Sequence, residues 1–168
     1  MTLSLYQASV PVFSRMFGNL AAILDKAEAH AQARGIEPAV LLNARLAADM
    51  HPLTRQVQIA SDLIKGCAAR LAGVEPPSFA DTESSFAELK ARIAKTLDFI
   101  GSVDPKLIDA GGEREIVLKF PNSEFKFDGA NYLLYFVQPN FYFHITTAYA
   151  ILRHNGLDIG KMDYMGRS

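Results

Sequence analysis

Tyr6, Val10, Phe13, Phe17, Leu20, Leu24 and Ala27 follow one another at alternating steps of four and three residues. This spacing puts all seven side chains on one stripe of an α-helix, and such a stripe must be buried against other helices. The chain is therefore constrained to a helical bundle. Pro11 falls near the start of this first helix, where it either belongs to the first turn or kinks the axis, and Gly35 ends it.

The following pattern supplies the partners. A second helix is expected over residues 37–71, with Leu42, Leu46, Leu53, Val57, Ala60, Ile64 and Leu71 on one stripe. Pro52 should bend it near its middle, and Gly73 with Pro76 and Pro77 should stop it. A third, over 81–100, turns Phe86, Leu89, Ile93, Leu97 and Ile100 inward. The period then changes. Residues 115–120 (EIVLKF) and 124–128 (EFKFD) alternate around Pro121, Asn122 and Ser123, the pattern of a short β-hairpin. Asp128 can cap a fourth helix that runs to His154. Asn155 and Gly156 offer a left-handed C-terminal cap, and Arg153 and His154 sit where the helix dipole favours positive charge. Residues 158–168 read as a tail laid over the surface. The expectation is one all-α domain over 1–168, a four-helix bundle with a short hairpin between helices three and four.

Composition narrows the function classes. The chain has 168 residues, 49% of them hydrophobic and 21% charged, with a formal net charge of −1. It has no basic stripe of the kind that binds nucleic acid. Cys67, the single cysteine, rules out an intrachain disulfide and fits a reducing, cytoplasmic setting. No signal peptide is evident at the N-terminus. Residues 132–152 are apolar, but Gln138, Asn140, His144 and two threonines argue against a lipid-facing span.

Asp49 and Met50, Pro52 and Leu53, residues 55–58 (RQVQ) and 69–73 (ARLAG) carry a family resemblance, completed by residues 139–156 (PNFYFHITTAYAILRHNG) with Gly160 and Lys161. The chain resembles, over essentially its whole length, a family of uncharacterised bacterial proteins within the DinB/YfiT-like superfamily. That resemblance implies the bundle with its hairpin between helices three and four. It also implies a divalent metal held by three histidines, one from the second helix and two from an HxxxH pair on the fourth. HxxxH puts both imidazoles on one helix face. Here His144 stands first in such a pair, while Ala148 occupies the second place and cannot ligate. His51 is the helix-two candidate, but at roughly 100° per residue it lies about 140° from that helix's apolar stripe, beside Arg55, Gln58 and Asp62. The expectation is no tightly bound three-histidine metal and no other cofactor, with His51 and His144 left as the candidates for any divalent metal.

His144 itself falls on a largely apolar side of the fourth helix, with Leu133, Val137, Asn140, Thr147, Ala148 and Ile151. A buried imidazole needs partners. Asn140 is one turn earlier, and Asp49 and Gln56 stand at the edge of helix two's stripe. His144, Asn140, Asp49 and Gln56 form either a small polar pocket or a structural hydrogen-bond network. Tyr135, Tyr142 and Tyr149, seven residues apart with Thr146 and Arg153 beside them, form either a homodimer face or a packing face. Cys67 reads as core. Residues 156–162 lack the spacing and hydroxyl of a phosphate loop. The function these residues suggest is small-molecule binding, or a degenerate metalloenzyme-like site, around His144. The alternatives are a non-enzymatic dimeric protein and, by the family resemblance, a transferase or isomerase that works with low-molecular-weight thiols.

Overall fold

The structure, a computed structural model, describes residues 3–166. The outermost residues of the expected tail, Arg167 and Ser168, lie outside the described residues, as do Met1 and Thr2. The elements in chain order are α1 (Leu5–Arg34), α2 (Pro38–Leu42), α3 (Leu53–Ala72), α4 (Phe86–Ser102), α5 (Pro105–Asp109), β1 (Ile116–Phe120), β2 (Ser123–Phe127), α6 (Gly129–Asn131), a π turn (Tyr132–Val137), α7 (Gln138–His154) and α8 (Lys161–Met165). The fold is mainly α-helical, with one small antiparallel hairpin.

Four long helices form a ring in the order α1, α4, α3, α7. The stripe of α1 is buried as its spacing requires, from Val10 through Phe13, Phe17, Leu20 and Leu24 to Ala27. Ser4 starts this helix with a reciprocal cap to Gln7, and Gly35 closes it at φ +62°. Phe141 of α7 packs edge-on against Phe13, with ring centroids 5.0 Å apart, and lies 5.7 Å from Phe17. These rings fill the space between α1 and α7.

The second helix is not continuous. It stops at Asn43, runs irregularly through residues 43–52, and restarts at Leu53 with Pro52 at the cap position. Proline has no N–H to donate and pushes His51 away from helical backbone, so the helix starts anew after Pro52 where a bend was expected, while the first part has already stopped at Leu42. Leu46, expected inward, is 43% exposed as a result. The third long helix begins at Phe86, capped by Ser85, rather than at residue 81. The fourth helix is capped by Asp128 as expected, but its second turn is a π turn. The hairpin forms with Phe120 opposite Ser123. Ile116 and Leu118 are buried, and Phe127 stacks toward Tyr132 and Phe136. Gly129 lets α6 start against the preceding connection, since a Cβ there would lie 2.0 Å from the Gly111 carbonyl oxygen.

The expected tail is a structural element instead. Leu157 and Ile159 are buried, α8 lies along α1, and Asn19 donates to the Tyr164 carbonyl at 3.0 Å. Tyr164 also meets Tyr149 ring to edge and takes a hydrogen bond from Thr146. The sequence pattern missed this because the two anchoring apolar residues are isolated among glycines and charges.

The long connection between α3 and α4 is held by Arg92. Its side chain is 2% exposed and pairs with Asp62 at 3.0 Å, Asp81 at 2.9 Å and Glu83 at 3.0 Å, while donating to the Ala80 carbonyl. Although burial favours the protonated form of Glu83, hydrogen bonds from Gln58 and Arg92 outweigh it and hold the carboxyl below its ordinary range. Arg92→Met removes the buried cation that these three acids share, although Asp62 keeps Lys65 and Asp81 keeps Arg55. It should cost about 3 kcal/mol, the low end for a broken buried pair, because Asp62 and Asp81 keep contact with water. Urea unfolding of the variant tests this; a loss under about 1 kcal/mol, the scale of a surface pair, would make the cluster peripheral.

Candidate functional site

The break at residues 43–52 and the restart at Leu53 bring the first turn of α3 against α7. Gln56 lies in that turn, 1% exposed. A buried primary amide must satisfy both a donor and an acceptor. Its Nε2 donates to the His51 carbonyl at 2.9 Å, and its Oε1 lies 2.6 Å from His144 Nδ1. With the NH2 group given to a carbonyl, only the amide oxygen faces the imidazole. Nδ1 therefore carries the proton, and Nε2 carries the lone pair. Nε2 makes no hydrogen bond among the described residues and is reached by solvent.

The imidazole is half-buried, with the Phe143 ring edge-on at 5.3 Å between centroids. Burial pushes its pKa down to about 4, and the neighbouring His51 and Arg55 add to the shift by repelling a further positive charge. At neutral pH His144 is an uncharged hydrogen-bond acceptor.

Of the residues expected around His144, the structure brings Gln56 to it and separates the other two. Asn140 donates its amide to the Phe136 carbonyl of its own helix at 2.6 Å. Asp49 stands exposed in the irregular segment, with no hydrogen bond or ion pair to His144 among the described residues. The helical count that placed Asp49 assumed a continuous second helix, whereas Asn140 stays one turn before His144 and gives its amide to its own helix. His51 is exposed as its count required, and it serves the site through its backbone carbonyl, a role no side-chain pattern reveals.

The tyrosine trio is also divided. A π turn closes i→i+5 rather than i→i+4, so seven-residue spacing does not carry across it. Tyr135 is 74% exposed, whereas Tyr142 and Tyr149 are half-buried, the latter under Tyr164. Arg153 donates to the Leu157 carbonyl at the helix end. Cys67 is wholly buried, and burial raises its thiol pKa far above the ordinary value, so it is core. Deeper in the bundle, Arg70 donates to the Tyr132 hydroxyl at 3.0 Å, and burial pushes that phenol up to about 12.

The comparisons with known proteins bear on this geometry. The model of a family described as "Domain of unknown function (DUF1993)" matches residues 5–165. The chain belongs to this family. A crystal structure of a DinB family member from Shewanella denitrificans is similar to it at 43% identity, with a TM-score of 0.87, covering 98% of this chain and 93% of that one. No curated protein matched. The DUF1993 chain is thus a member of an uncharacterised family within the DinB-like superfamily.

The three-histidine metal of DinB-like proteins does not fit these residues. Ala148 is buried and offers no donor in the second place of the HxxxH pair, and no group of three His, Cys, Asp or Glu side chains gathers among the described residues.

Two outcomes follow from the His144 geometry. His144 holds fewer protons in the folded chain than unfolded between its ordinary pKa of 6.5 and about 4. Its contribution to stability should be fully present above pH 6.5 and fall away as the pH drops toward 4. The stability difference between wild type and His144→Gln, followed by denaturant titration across that range, should track this loss; a difference independent of pH would contradict the shifted pKa. Separately, His144→Leu strands the buried Gln56 oxygen and should cost about 1–3 kcal/mol. The double variant His144→Leu/Gln56→Leu should recover most of that loss, and strict additivity in a double-mutant cycle would mean the two groups are uncoupled.

Proposed function

We propose that this protein is a small-molecule binder that recognises a protic ligand, one carrying an O–H, N–H or S–H group, through Nε2 of His144. The observation that carries the reading is the double commitment of the Gln56 amide, which fixes the imidazole with its lone pair toward solvent. Phe143 supplies an apolar wall against the ring, and Arg55 adds positive potential that favours an electron-rich heteroatom beside the donated proton. A group with a pKa of about 4 is a poor general base at neutral pH, since its conjugate acid is too strong to hold an abstracted proton. The chemistry of the site therefore favours binding over proton abstraction.

Phenol and anisole test this, because they share a ring and differ in the donated proton. Long-range proton–nitrogen NMR should show His144 as the Nδ1–H tautomer, and phenol should shift its Nε2 resonance while anisole leaves it in place. Equal responses to the two probes, or a free-protein spectrum of the Nε2–H tautomer, would sink the reading. The phenol response elsewhere in the protein should also disappear in His144→Ala.

A further inference from the structure

We infer that the outward face of α7, centred on Phe143, is the contact surface for a second copy of this chain. Counted through the π turn, the side chains that point away from the bundle are Tyr135, Pro139, Phe143, Thr146 and Ala150. The first four are exposed and Ala150 half-buried, with Tyr135 at 74% and Phe143 at 55%. This stripe replaces the tyrosine trio as the face in question, and the inference does not depend on the ligand reading.

Charge identifies the occupant. Between Asp128 and Arg153 the chain contains no Asp, Glu, Lys or Arg. The outward faces of α1 and α4 are different and expose Arg15, Asp25, Lys26, Glu88, Lys95 and Asp98. An outward helix face without any charge offers no ion pair to an acidic or basic partner. A two-fold contact has the opposite requirement. It sets each side chain near the axis against its own copy, so a charge there would face its like, and an uncharged aromatic stripe escapes that repulsion. Exposed aromatic side chains at the centre, free of charged residues, also match the composition of interface cores.

Size determines what else must take part. The stripe from Tyr135 to Ala150 is about 24 Å long at 1.5 Å per residue and about 10 Å wide, roughly 240 Å² in projection. A stable contact covers about 800 Å² on each partner. Neighbouring segments must therefore join it. The segment 43–52 is placed to do so, because Leu46 overhangs the stripe and forms with Pro139, Tyr142, Phe143 and Ala150 an apolar groove of about 390 Å³. The broken second helix thus supplies one wall of the contact.

Sedimentation velocity on the full chain tests the inference. Wild type should be dimeric at about 100 μM, well above the Kd of an ordinary specific interface. Phe143→Glu should weaken self-association at least about tenfold, by placing like charges beside the axis, with the helical circular dichroism unchanged. Leu46→Glu should weaken it as well. Tyr135→Glu, on the same stripe and 74% exposed, serves as the second probe should Phe143→Glu fail to fold. A monomeric wild type at that concentration overturns the inference. So does a dimer whose strength is untouched by both stripe variants, since the contact then lies on another face.

Discussion

A primary amide buried between two helices has to satisfy a donor and an acceptor at once, and at Gln56 the surrounding chain is arranged to meet that demand. The donor side reaches back to the His51 carbonyl and so fixes the last residues of the irregular segment before α3. The acceptor side reaches across to His144 and so fixes α7 in rotation and the imidazole in tautomer. One side chain therefore ties together a loop, the start of one helix and the middle of another. The open Nε2 is a by-product of this arrangement, which turns a packing requirement into an exposed chemical group.

Arg92 does for the α3–α4 connection what Gln56 does for the α2–α3 connection. In each case a buried polar side chain, rather than an apolar one, fastens a stretch of chain without regular structure. The long helices find one another through apolar stripes, which are indifferent to small sliding motions. The polar anchors are directional and fix one register. Their partners also differ in kind. Gln56 holds a carbonyl and a neutral ring, whereas Arg92 gathers three carboxylates and depends on charge, so salt acts on the second anchor and spares the first.

The four long helices, the hairpin and most of the core were legible in the sequence, because stripe spacing, caps and the switch to alternation are local signals. Val10 to Ala27 and Phe86 to Ile100 are buried much as their periodicity requires. Where local counting failed, it failed at prolines. Pro52 starts a new helix rather than bending an old one, and the irregular stretch before it exposes Leu46 and removes Asp49 from the site. In α7, the turn before Pro139 opened to a π turn, which separated Tyr135 from Tyr142 and Tyr149. The pairing of His144 with Gln56 was legible, since His144 fell on the apolar side of its helix and Gln56 at the edge of helix two's stripe. The part played by the His51 carbonyl was not, because backbone groups leave no trace in residue type. Arg92 carried a usable signal, a cation between Leu89 and Ile93 on the inward side of α4.

The π turn at Tyr132–Val137 also bears on where this helix can change in length. One extra residue per turn is stored there, and it keeps two sets of side chains in phase with different partners. On the N-terminal side, Tyr132 and Leu133 face the hairpin and the base of α3; on the C-terminal side, Phe141 and His144 face α1 and Gln56. Loss of that one residue would close the turn as ordinary α-helix and leave both halves facing the same partners, whereas loss of a residue from the regular turns of α7 would rotate one half by roughly 100° against the other and unseat either the hairpin or the imidazole. The π turn is thus a place where the length of this helix can change by one residue without a change of phase.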